Sequence, residues 1–229
     1  MRGFTGFGFA LAAVPLASLV LPPRLAVAAV LLMQAGIGLR DCLVERRIVD
    51  WAAVQLLTLG SLVGTPLGLL ALSVLPQAIA RLVLGVLVLA AVGVTWRPAR
   101  PRSGSGRGWA LLAGVVAGLG NGLAAMSGPP TIVYFLTFEP DRAVMRASML
   151  AFFPLAALFG LPAAAFTGLL SRDAAIIAAT GLPLMLVGGW LGAALFRRSG
   201  HRSYRVIAVV TLSVTALLSI GKGLAGLLP

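Results

Sequence analysis

Eight stretches of this chain run apolar for fifteen residues or more, and none carries more than one charged side chain: residues 3–21, 25–39, 51–75, 79–96, 109–138, 143–170, 174–196 and 206–228. Crossing the hydrocarbon of a bilayer takes about 20 apolar residues, and peptide groups immersed in lipid must find their hydrogen-bond partners internally. The runs are therefore expected to be helices, and the chain an all-α integral membrane protein built as a helical bundle. Breaks are expected at Pro22-Pro23, 40–47, Pro76, 97–107, Glu139-Pro140, 171–173 and 197–205.

Charge separates the remaining classes. Only 10% of the residues are charged, against about a quarter in a soluble domain. The net charge of +12 comes mostly from arginines in short clusters between apolar runs, which is how cytoplasmic loops read. These clusters are separate and lack interleaved aromatics, so no nucleic-acid partner is expected. The six acids, Asp41, Glu45, Asp50, Glu139, Asp141 and Asp173, all lie at segment ends. No buried carboxylate is then available to carry a proton or cage a cation at the bilayer centre. With one cysteine (Cys42), one histidine (His201) and no Ser-His or His-Glu arrangement, neither an enzyme nor a metal or cofactor site is expected.

The two sides of the linker-like stretch 97–107 resemble each other. Gly6-Phe-Gly8 followed by Pro15 matches Gly120-Asn-Gly122 followed by Pro129, at an offset of 114. Pro23-Arg-Leu-Ala-Val27 matches Pro140-Asp-Arg-Ala-Val144, and Leu62-Val-Gly-Thr-Pro-Leu-Gly68 matches Leu186-Val-Gly-Gly-Trp-Leu-Gly192. Three matches in one order indicate duplication: a first repeat at 1–96, a basic cytoplasmic linker at 97–107 and a second repeat at 108–229. The first repeat is short at its N-terminus, because the second has Trp109 to Ala117 leading into its glycine motif whereas the first reaches Gly3 at once. A start upstream of Met1 is the favoured explanation.

If all eight runs crossed the membrane, the 18 basic residues would fall almost evenly on its two sides. If the first and fifth instead enter and leave by one face, 13 of the 18 share a side: Arg40, Arg46, Arg47, Arg97, Arg100, Arg102, Arg107, Arg142, Arg146, Arg197, Arg198, Arg202 and Arg205. The positive-inside rule favours the second arrangement. It gives two inverted halves, each with one Gly/Pro-broken or re-entrant segment plus three membrane-crossing helices. Eight true crossings remain the rival.

The stretch Gly118–Thr131 holds four glycines, two prolines and an Asn in apolar surroundings. Proline lacks an amide hydrogen and glycine admits positive φ, so an uninterrupted helix is not expected there. Unwound backbone at membrane depth is tolerated where it is buried in protein or lines a wet cavity, and a half-helix N-terminus favours an anion. The candidate substrate-binding residues are Thr5, Gly6, Gly8 and Pro15 in the first half, and Gly120, Asn121, Gly122, Ser127, Gly128, Pro129 and Pro130 in the second. Thr131 is a further neutral donor, and Gln34 and Tyr134 are possible cavity residues. Gly64, Gly68, Gly188 and Gly192, spaced four apart, read as close-packing positions.

Arg2-Gly-Phe-Thr-Gly-Phe-Gly8 with Pro15, Val49-Asp-Trp51, Gly60-Ser-Leu-Val-Gly-Thr-Pro-Leu-Gly68, and Gly118-Leu-Gly-Asn-Gly122 with Gly128-Pro-Pro130 resemble the TauE/SafE family of sulfite-exporter-like permeases over essentially the whole chain. The resemblance implies a multi-pass transporter of the bacterial inner membrane with two homologous halves, whose partners are the lipid bilayer and a small anionic solute such as sulfite or a sulfonate. A membrane scaffold assisting a larger complex, its glycines serving packing alone, is the alternative.

Overall fold

A computed structural model of the chain describes residues 8–45, 47–96, 106–139 and 141–227; side chains at 8–10, 37–45, 95–96 and 189–208 lie outside that description. The described residues form eight helices and no strand: α1 (Gly8–Val20), α2 (Pro23–Glu45), α3 (Trp51–Val74), α4 (Gln77–Trp96), α5 (Arg107–Ala124), α6 (Gly128–Phe138), α7 (Arg142–Phe166) and α8 (Arg172–Ala225). Among the described residues three stretches are long and apolar enough to cross a membrane, Trp51–Val74, Gln77–Val94 and Arg142–Phe166. Their outward faces carry large apolar side chains such as Leu59, Val63, Leu70 and Val86, each more than half exposed, which suits lipid as the surrounding solvent.

Most of the punctuation falls where the sequence puts it. Pro23 opens α2, where a missing amide costs nothing, and Pro76 separates α3 from α4. Asp50, Asp141 and Ser171 cap α3, α7 and α8 by accepting from amides of the first turn. The expected break at 197–205 is different, because helical backbone runs from Arg172 to Ala225. Residues 197–205 have no proline and are rich in arginine, a good helix former.

Yet α8 is not one straight rod. A straight helix would hold Gly181 and Lys222 about 60 Å apart. Gly181 packs on the Met33 side chain and Lys222 donates to the Leu19 carbonyl. Those two partners, joined by a tight turn and ten residues of α2, can be no more than about 30 Å apart. α8 therefore bends sharply between an N-terminal and a C-terminal arm. The C-terminal arm runs antiparallel to α4, with Gly223 against Ala78 and Gly85 against Ala216 and Ile220.

The tightest contact joins α3 to α5. Gly60, Gly64 and Gly68 on α3 face Gly114, Gly118 and Gly122 on α5, and a Cβ added at any of the six would fall 2.1–2.8 Å from main-chain atoms of the other helix. Backbones this close need residues without side chains, as small residues permit in membrane bundles. Contacts advance together along both helices, so α3 and α5 run parallel and begin at the same end. Packing is thus the role of Gly64 and Gly68, whereas Gly188 has open space around its would-be Cβ and Gly192 lies outside the described side chains.

That shared end gathers other elements. Asp50 N–H donates to Ser148 Oγ at 2.9 Å, tying the start of α3 to α7. A Cβ on Gly106, just before α5, would sit 2.8 Å from the Phe138 ring at the end of α6. So α5 and α6 form a hairpin that returns to where it began. At the opposite end Arg24 donates to the Leu72 and Leu75 carbonyls at 3.2 and 2.9 Å, Arg81 donates to the Ser18 carbonyl at 3.1 Å, and Lys222 donates to that of Leu19. These cations satisfy carbonyls that the last turns of α3 and α1 leave without helical donors.

Candidate functional site

The helix expected to fail between Gly118 and Thr131 does fail, but later than its glycines suggest. α5 continues through Gly122 to Ala124, and the break occupies Ala125, Met126 and Ser127. Ala125 is left-handed, with φ 52° and ψ 30°, a conformation that usually selects glycine. The turn closes through Ala125 N–H to Asn121 O (2.7 Å) and Met126 N–H to Gly120 O (3.0 Å), the first of these being the bond of an αL-type helix ending. Gly120 permits it, since a Cβ there would lie 2.5 Å from the Met126 carbonyl. Gln34 of α2 holds the turn from across the bundle, its Nε2 donating to Ala125 O at 2.9 Å.

Beyond the turn Ser127 precedes α6, with Gly128 first, then Pro129 and Pro130. Prolines suit a helix start, but they remove two of the amides that a helix N-terminus offers an anion. The pull of the α6 terminus on a solute is correspondingly reduced. Thr131 adds nothing free, because its hydroxyl donates to Ser127 O at 2.7 Å.

The break has two faces. On one, Gly120, Met126, Pro129, Pro130 and Tyr134 line a cavity of about 680 Å³ between α4, α5 and α6, with a wall that is almost wholly apolar. On the other, Asn121 is fully buried and donates through Nδ2 to the Ala156 carbonyl of α7 at 3.2 Å. Its Oδ1 has no protein partner, and neither has the Oγ1 of Thr65 on α3, which is 1% exposed. Gly160 of α7 joins the two. A Cβ there would sit 2.8 Å from the Thr65 methyl and 3.8 Å from Asn121 Nδ2.

The predicted residues therefore separate. Gly120, Pro129, Pro130 and Tyr134 share the cavity, Asn121 faces the polar nest, and Gly122 abuts α3, where its Cβ would meet the Thr65 carbonyl at 2.3 Å. Ser127 and Gly128 are buried beside the break. In the first half Thr5 and Gly6 lie outside the described residues, and Gly8 is the first residue of α1. From Gly8 onward α1 runs without a break through Pro15, so the interruption expected there is not present in the described part. The two regions still converge, since Leu11 and Val14 belong to one core cluster with Ala124, Ala125 and Met126. Thr65 and Gly160 were not among the expected site residues; a threonine beside Pro66 in an otherwise apolar run was the available signal for the first.

Among the described residues no group of three His, Cys, Asp or Glu side chains could hold a metal ion. The sequence model of the family described as "Sulfite exporter TauE/SafE" matches residues 1–218. Among curated proteins, the chain is similar to the probable sulfite/organosulfonate exporter TauE of Cupriavidus necator, with 28% identity over 195 residues, 82% of this chain and 76% of that protein. No solved structure matches it.

Proposed function

The chain belongs to the TauE/SafE family, and from that premise we propose that it is a permease moving a small sulfur-containing anion, sulfite or an organosulfonate, across the bacterial inner membrane. The observation that carries the reading is the break at Ala125–Ser127, a helix interruption inside the bundle with a polar nest on one side and a cavity on the other. Outward movement of an anion down an inside-negative potential gains about 2.3 kcal/mol per charge per 100 mV. Export then needs no coupling ion, in keeping with the peripheral acids.

The α5–α6 hairpin is the re-entrant segment of the second half in this reading, and α2, α3, α4, α7 and the two arms of α8 are the six crossings. Contacts support an inverted pseudo-twofold. The pairs α2 with α7 and α4 with the C-terminal arm of α8 are each formed by counterparts, and α3 on α7 is mirrored by α8 on α2. The end shared by the starts of α3, α5 and α7 is the cytoplasmic one, because the basic clusters flank it.

The test is flux of radiolabelled sulfite and sulfonates in proteoliposomes, wild type against Asn121→Leu. Solute-dependent flux lost in the variant is expected. Absence of flux from the wild type, with stoichiometric co-purification of another membrane protein, would overturn the reading in favour of a scaffold.

A further inference from the structure

Thr58, Thr131, Thr137, Thr167 and Thr180 all return their hydroxyls to the carbonyl four residues back, at 2.7–2.9 Å. This is the ordinary way to satisfy a threonine within an apolar helix. Thr65 does not do so, although it is 1% exposed and in mid-helix. Its hydroxyl is spare beside a second spare group, Asn121 Oδ1. Buried polar atoms are paired in the great majority of cases, and two orphans at one three-helix junction call for a ligand that pairs them.

The chemistry of that ligand follows from the amide. Asn121 Nδ2 is committed to the Ala156 carbonyl, and exchanging the amide's nitrogen and oxygen would set two acceptors against each other. The orphan Oδ1 is thus fixed as an acceptor and must receive a proton, while Thr65 Oγ1 can donate or accept. A bare oxyanion has only acceptors and would meet Oδ1 lone pair to lone pair. Charge argues independently in the same direction. Every lysine and arginine whose side chain is described lies near a helix terminus or in a connection, Arg24, Arg47, Arg81, Arg107, Arg142, Arg146, Arg172 and Lys222, and the two prolines thin the amides at the start of α6. A nest without a cation accommodates one negative charge far more readily than two.

We infer that Thr65 and Asn121 together select a monoanionic solute bearing its own hydrogen-bond donor, such as hydrogen sulfite or a hydroxyl-substituted sulfonate, over a dianion or a plain alkanesulfonate. The hydroxyl of the solute donates to Asn121 Oδ1, and its oxygen accepts from the Thr65 hydroxyl. This rests on the permease reading and adds Thr65 as a specificity residue. The junction joins α3 to α5 and α7, elements of both halves, so it parts if the halves rock.

The experiment compares 2-hydroxyethanesulfonate with ethanesulfonate in proteoliposomes. The two have the same charge at every working pH and differ by one hydroxyl. Labelled sulfite is followed in parallel across the pH range of its second ionisation. The wild type should move the hydroxylated sulfonate about tenfold faster or more, because the plain sulfonate leaves the buried Asn121 acceptor unpaired. Sulfite flux should fall about tenfold per pH unit above that ionisation. Thr65→Val should bring the sulfonate ratio toward one, and Thr65→Ser should restore it. Equal sulfonate fluxes in the wild type, or sulfite flux that holds level or rises with pH, would overturn the inference while leaving the permease reading intact. If Thr65→Val keeps the wild-type ratio, Thr65 has no part in selection. No flux of any of the three solutes would be a failure of the permease reading itself.

Discussion

The two sides of α5 use glycine for opposite ends. Toward α3, Gly114, Gly118 and Gly122 bring two parallel helices into main-chain contact along several turns. Toward α4 and α6, Gly120 leaves room for the Met126 carbonyl in the turn that ends the helix and borders a cavity of about 680 Å³. One row removes space and the other residue creates it, within a single helix of 18 residues. Glycine content thus says little by itself. What matters is whether the missing Cβ would point at a neighbouring helix or at the helix's own next turn.

The sharpest way to break this comparison is Gly122→Val. Its branched side chain would start 2.3 Å from the Thr65 carbonyl, and we expect a loss of about 3 kcal/mol or more, beyond the usual range for overpacking because backbone cannot step aside. Loss of monodisperse protein in detergent, or a steep fall in unfolding midpoint, would register it; a midpoint equal to wild type would mean the α3–α5 contact is not as close as described. Next in size is Gln34→Leu, which removes the donor that holds Ala125 O. Chemical denaturation should show a cost of about 1–2 kcal/mol, with faster hydrogen exchange confined to 120–128. An unchanged exchange pattern would show that the turn needs no external clasp.

Ala125→Gly should move the other way. Relieving a left-handed alanine is expected to stabilise by about 1 kcal/mol, raising the midpoint by a few degrees; a decrease would argue that the positive φ is not populated. Smallest of all is Gly93→Ala on α4, where the added methyl meets nothing within 4 Å. A gain below about 1 kcal/mol, the propensity difference alone, is expected. A substantial loss there would reveal a partner packed on α4.

Much of the architecture could be read from residue order because lipid leaves the backbone few choices. Runs without charge had to be helices, and Pro23, Pro76 and the capping acids Asp50 and Asp141 marked their ends by chemistry that acts within one turn. The failure between Gly118 and Thr131 was legible for the same reason. Its position was not, since Gly118 and Gly122 were recruited to α3, against residues 53 to 57 positions earlier in the chain. The continuity of helical backbone across 197–205 was likewise hidden, because arginines that punctuate a membrane sequence also favour helix. Thr65 escaped notice for a further reason. A hydroxyl in an apolar helix normally bonds its own backbone, and only the coordinates show that this one does not.

The lysine and arginines at the far end of the bundle have a consequence for how its corner is held. Arg24, Arg81 and Lys222 are each clasped by main-chain oxygens where α3 or α1 runs out, so part of their charge is offset by the negative pole of a helix. Bound in this way they act as pegs for the bundle's corner, each fastening one helix to the open end of another.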